Sequence, residues 1–133
     1  MDAIPLAPEK FRDPEWTVKG ERRAWVKLKS LDTLWFNTGT LCNLTCNSCY
    51  IESSPRNDRL AYLTLADVCR YLDEIAEHCL PTRLIGFTGG EPFMNPAIIA
   101  MLNEVLQRGL EALVLTNAMK PMCKLAAPLL DLQ

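Results

Sequence analysis

A chain of 133 residues, 49% of them hydrophobic and 23% charged, is long enough for one compact domain and ordinary in composition for a globular fold. Its net charge of −2 carries neither the basic signature of a nucleic-acid binder nor that of a polybasic membrane surface. No apolar run reaches the roughly 18 residues of a membrane span, and the N-terminus lacks the basic-then-apolar order of a secretory leader, so a cytoplasmic location is expected.

Residues 1–20, rich in proline and charge, read as a poorly ordered lead-in, and residues 21–32 (ERRAWVKLKSLD) as an edge strand or a strap. Together they form an N-terminal extension, 1–32, before a core region, 33–133. The β-prone, apolar run 33–38 (TLWFNT) predicts a buried strand. A loop led by Gly39 follows and carries Cys42, Cys46 and Cys49, and residues 52–59 form a polar loop. Residues 64–79 predict a helix with Thr64 as cap, Asp67 at the capping-box position and Pro81 as stop. Leu65, Val68, Cys69, Leu72, Ile75, Ala76 and Cys79 recur at helical spacing, so Cys69 and Cys79 are expected as small buried hydrophobes, and Cys123 likewise. His78 falls at the helix end, where a protonated imidazole favours the dipole.

A second strand, 83–88 (RLIGFT), runs into Gly89-Gly90-Glu91-Pro92. Asn95 then reads as the cap of a second helix, with Pro96 in its first turn, Gly109 as its stop, and Ile98, Ile99, Leu102, Val105 and Leu106 as its buried face. A third strand, 111–116 (EALVLT), ends at Asn117, and a last helical segment starts near Lys120 and is interrupted at Pro128. Trp16, Trp25 and Trp35 are expected to pack, and Met94, Met101, Met119 and Met122 to fill core or loop space.

Strand followed by helix, three times over, predicts an α/β fold: a partial (β/α) barrel of parallel strands with about three β/α units. The cysteines, the Gly-Gly-Glu-Pro turn and Asn117 each lie just after a strand, on the rim where barrels of this build carry their sites.

Three thiolates on one short loop can surround an iron–sulfur cluster, which usually takes four cysteines, and would leave one iron open. The spacing alone also allows three small residues on a helix face, or a zinc site with a distant fourth ligand. Gly39, Asn43, Asn47 and Ser48 make the stretch a poor helix, and zinc sites favour paired cysteines split by a longer insert.

The run CNLTCNSCY, followed by FTGGEPFMNP and then VLTNA, resembles the radical S-adenosylmethionine (SAM) superfamily, over about residues 33–119. It is most similar to the branch that holds molybdenum-cofactor-biosynthesis enzymes and peptide maturases. The resemblance implies that Cys42, Cys46 and Cys49 hold a [4Fe–4S] cluster and that SAM chelates the open iron. It implies that Gly89, Gly90 and Glu91 contact the SAM amino group, with the glycines allowing close approach and the carboxylate suiting an ammonium donor. Asn117 matches a Thr-Asn pair of that branch and would bond SAM or support the loop, a strand-ending turn being its plain alternative. Tyr50 would shield the cluster or line the site, or else pack against the barrel. Ser48 departs from the aromatic or bulky residue often found before the last cysteine.

The implied reaction is reductive cleavage of SAM to a 5′-deoxyadenosyl radical that abstracts a substrate hydrogen, fed by an electron donor such as flavodoxin or ferredoxin. A non-catalytic iron–sulfur module is the alternative. The family core has about six strand–helix units, so the chain reads as the N-terminal half of one. A truncated part of a longer enzyme is expected, with a half-barrel completed by a second chain as the other reading.

Overall fold

A computed structural model describes residues 13–132, and the predicted lead-in over 1–12 lies outside the described residues. Three strands, β1 (Thr33–Asn37), β2 (Leu84–Thr88) and β3 (Glu111–Val114), form one sheet in the order β1-β2-β3. Both pairings are parallel, with Trp35 opposite Gly86 and Gly86 opposite Leu113. Helix α1 (Leu65–Glu77) connects the first two strands and α2 (Ile98–Gln107) the last two. Helices α3 (Lys120–Lys124) and α4 (Ala126–Leu130) follow. The expected partial β/α architecture is therefore present, with each strand one or two residues shorter than its apolar run.

Alternation along the strands decides where the core lies. Phe36, Ile85 and Phe87 share one sheet face and pack with Val68, Leu72 and Ile75 of α1 and Ile98, Met101, Leu102 and Val105 of α2. Phe36 and Phe87 stack at 5.6 Å between centroids. Each fully buried aliphatic or aromatic side chain contributes about 1.5–3 kcal/mol, so this layer outweighs any single polar contact. Thr33, Trp35 and Asn37, with Gly86 and Leu113, take the opposite face. There the Trp35 ring lies so close over Gly86 that a Cβ on that glycine would sit 2.2 Å from it.

Helix α1 carries the predicted capping box: the Thr64 hydroxyl accepts from the Asp67 amide at 3.2 Å, and the Asp67 carboxylate accepts from the Thr64 amide at 3.2 Å. The helix stops earlier than predicted. His78 is its C-cap and Cys79 is left-handed at φ 48°, with Cys79 N–H donating to Ala76 and Leu80 N–H to Ile75. That is a Schellman ending with cysteine where glycine is preferred. Cys79 is consequently exposed, Cys69 is only half-buried and Cys123 is exposed, which corrects the expectation of three buried thiols.

Asn95 caps the turn that leads into α2 rather than the helix itself, its Oδ1 accepting from the Ala97 amide at 2.9 Å. It follows a 3₁₀ turn over Pro92–Met94, and the N-cap is Ala97, which makes no side-chain bond. Beyond β3 the break falls at Leu125 rather than at Pro128, because Pro128 has no N–H for the Lys124 carbonyl and its ring crowds it. Residues 23–32 form no strand. They act as a strap, with Thr82 Oγ1 donating to the Leu31 carbonyl at 2.6 Å and the Arg83 amide to Asp32 at 3.0 Å. The expectation that the tryptophans pack fails most clearly at Trp25, which is 88% exposed. Trp16 and Trp35 are about half exposed, and Met119 is on the surface while Met101 is fully buried.

Candidate functional site

At the carboxyl ends of β1 and β2 two loops lock together through backbone contacts. The Thr38 amide and hydroxyl both donate to the Thr88 carbonyl, at 2.8 and 3.0 Å. Gly90 N–H donates to the Gly39 carbonyl at 2.9 Å and Glu91 N–H to the Leu41 carbonyl at 3.0 Å. The spacing is tight enough to demand glycine. A Cβ on Gly90 would lie 2.1 Å from the Leu41 oxygen, and Gly89, at φ 135°, would place one 2.6 Å from the Gly39 oxygen. The turn and the cysteine loop are thus one body, and what the glycines approach within the chain is the backbone that leads into Cys42.

Asn95 completes this clamp. Its side-chain amide is buried and donates to the Thr38 carbonyl at 3.2 Å and the Leu63 carbonyl at 2.9 Å, tying the start of the cysteine loop to the start of α1. The Asn-Pro dipeptide suggests a helix start, and nothing in the sequence distinguishes an asparagine turned inward onto remote carbonyls.

Glu91 is 1% exposed, and its carboxylate is surrounded by the chain's own donors: Phe93 N–H at 3.0 Å, Thr116 Oγ1 at 2.8 Å and Asn117 N–H at 2.9 Å. It therefore bridges the end of β2 to the end of β3. Asn117, held by that bridge, extends its side-chain amide to Asn43 Oδ1 at 2.9 Å and toward Cys42 Sγ at 3.7 Å. Three of the residues singled out in the sequence, Glu91, Asn117 and Cys42, thus form one connected network across all three strand ends.

The cysteines differ among themselves. Cys42 is buried and its sulfur accepts the Leu44 amide at 3.4 Å, Cys49 is half-buried and accepts the Ser53 amide at 3.3 Å, and Cys46 is exposed. Partial burial pushes the Cys49 thiol up. The backbone amides of Ser53, Ile51 and Glu52 outweigh that and hold it below the ordinary thiol value. Tyr50 is 77% exposed, so the packed alternative for it is corrected. Ser48 also points to solvent.

Among the described residues no three histidine, cysteine or acidic side chains converge as tightly as a single metal ion requires. A cubane cluster is a larger body whose ligands stand further apart. The donor set suits it: three thiols on one loop, two of them already receiving amide N–H groups, which is the bonding that tunes thiolate-held clusters.

A parallel β/α sheet with its helices packed on one face and a three-cysteine loop at its carboxyl rim defines a partial β/α barrel-type domain. The chain belongs to the radical SAM superfamily, whose sequence profile matches residues 36–132. It is also 30% identical over 104 residues to a GTP 3',8-cyclase of Pseudomonas fluorescens (strain Pf0-1), an alignment that takes in 77% of this chain. The chain spans 31% of that relative's length. No helix among the described residues is long and apolar enough to cross a membrane.

Proposed function

We propose that the chain holds a [4Fe–4S] cluster through Cys42, Cys46 and Cys49 and takes part in radical SAM chemistry. When bound, the cluster and SAM supply one-electron cleavage of a carbon–sulfur bond and the hydrogen abstraction that follows. The chain's own residues supply the setting. The Gly89-Gly90 backbone and Asn95 fix the cysteine loop on the rim, and Glu91 holds Asn117 beside Cys42. Gly89, Gly90 and Glu91 would meet the SAM amino group through backbone carbonyls, since the Glu91 carboxylate already accepts three donors. Tyr50 stands next to Cys49 and would cover the cluster from the solvent side. A small electron-transfer protein such as flavodoxin or ferredoxin would reduce the cluster.

The observation that carries this reading is the junction of the cysteine loop, the Gly-Gly-Glu turn and the end of β3 into one hydrogen-bonded rim, in a chain whose family match covers the same residues. The substrate of the relative is not carried over, because less than a third of that protein is matched. A second reading, an iron–sulfur module without turnover, is favoured by the sheet face opposite the helices, where Trp35 remains 45% exposed. A single experiment separates them: anaerobic reconstitution, addition of SAM, then reduction. A spectral change on adding SAM and release of 5′-deoxyadenosine support the enzyme. A cluster indifferent to SAM supports the module, and alanine at Cys42 or Cys49 with undiminished iron and sulfide would refute both.

A further inference from the structure

Ser53 is the exception in an otherwise satisfied rim. It is 4% exposed, and its hydroxyl is buried with no hydrogen-bond partner, alone in that respect among the described residues. A buried hydroxyl without a partner carries an uncompensated desolvation cost, so its retention calls for an acceptor better than any the metal-free chain offers it. The backbone around it is fixed. The Ser53 amide donates to Cys49 Sγ at 3.3 Å, Leu41 and Ser54 form a parallel bridge, and the Cys42 amide donates to the Ser54 carbonyl at 3.1 Å. Ser53 therefore sits under the cysteine loop, its amide already aimed at one of the three sulfurs.

Resting on the cluster reading above, we infer that the Ser53 hydroxyl is a second donor to the sulfur shell at Cys49, satisfied only when that sulfur is a cluster-bound thiolate, and that it sets the cluster's reduction potential. A hydroxyl rotates freely about its C–O bond and donates to whichever acceptor gains charge. Reduction adds one negative charge to the cluster and its thiolates. A donor at that shell therefore favours the reduced form and raises the potential. Ser53 is a positioning residue for the electron-accepting step and has no part in hydrogen abstraction.

The test uses the full chain and the variants Ser53→Ala and Ser53→Thr, with iron and sulfide content, EPR-monitored redox titration, and urea unfolding of the metal-free proteins. Ser53→Ala is expected to load iron and sulfide, to titrate at a more negative potential than the parent, and to unfold without cluster at the same or higher urea concentration. Ser53→Thr, which keeps the hydroxyl, is expected to return toward the parent potential. Loading by Ser53→Thr alone, at the parent potential, also supports the role of the hydroxyl. Equal potentials in Ser53→Ala and the parent, failure of both variants to load, or a metal-free Ser53→Ala less stable than the parent overturns the inference. Failure of the parent itself to load iron and sulfide overturns the cluster reading on which it rests.

Discussion

Cys79 shows how one residue can carry a correctable cost. Its φ of 48° places a non-glycine side chain in the left-handed region at the C-terminus of α1, while Gly109, at φ 73°, ends α2 by the same hydrogen-bond pattern. A left-handed non-glycine residue costs about 1–2 kcal/mol. Cys79 is exposed, so no packing is lost on replacing it. Cys79→Gly is expected to raise the unfolding free energy by about 1 kcal/mol, read as a higher urea midpoint at constant slope. Glu91 is the opposite case. Its buried carboxylate accepts from Phe93, Thr116 and Asn117, and an amide in its place turns an NH₂ group toward N–H and O–H donors. Glu91→Gln is expected to cost about 1–3 kcal/mol in the metal-free protein, because a buried group left unsatisfied loses its full desolvation. Unchanged stability in the same urea titration would mean that the bridge between β2 and β3 is not a structural tie.

At the level of elements, the start of α1 and the junction of the two rim loops lend themselves to the clearest tests. The Thr64 hydroxyl and amide hold the Asp67 carboxyl below the ordinary aspartate value, with burial opposing and Arg70 assisting. A folded-state value below the unfolded one means that this contribution is complete above the ordinary aspartate pKa and is lost as pH falls through the lowered one. Asp67→Asn should therefore flatten the acid limb of the stability–pH profile and leave its slope near neutrality unchanged. Thr64→Ala should cost about 1 kcal/mol near neutrality, from the lost cap, and less in acid, where the hydroxyl no longer faces a carboxylate. Gly90→Ala drives a methyl group to within 2.1 Å of the Leu41 carbonyl oxygen, which is backbone and cannot swing aside. Overpacking of that kind costs about 1–3 kcal/mol, and here it would displace the chain entering Cys42. Loss of iron and sulfide loading out of proportion to the loss of stability is the expected signature.

Across the whole molecule, the parts legible in the sequence were those with a local cause. Short β-prone apolar runs located the strands and period-3.6 spacing the first two helices, the Thr64–Asp67 pair marked a helix start, and the cysteine spacing marked the rim. What escaped detection depended on contacts between residues far apart in the chain. Examples are Asn95 turned onto Thr38 and Leu63, and the Glu91 carboxylate occupied by Thr116 and Asn117. The strand pattern also does not say which apolar face the helices will cover. In the structure they cover Phe36, Ile85 and Phe87, so the row Trp35–Gly86–Leu113 lies on the other side, with Trp35 45% and Leu113 39% exposed and Leu115, just past β3, 51% exposed. Contiguous apolar surface on a sheet whose outer strands have no further partner among the described residues is a site of adhesion. The chain on its own is therefore expected to bind an apolar dye such as ANS in its native state and to self-associate with rising concentration in sedimentation velocity. Substituting Trp35→Ser together with Leu113→Lys should lower both responses while leaving the helical circular-dichroism signal intact, because neither residue belongs to the buried core. Dye binding that persists unchanged in that double variant would place the adhesive surface elsewhere, with exposed Trp25 and Val26 in the strap the next residues to replace.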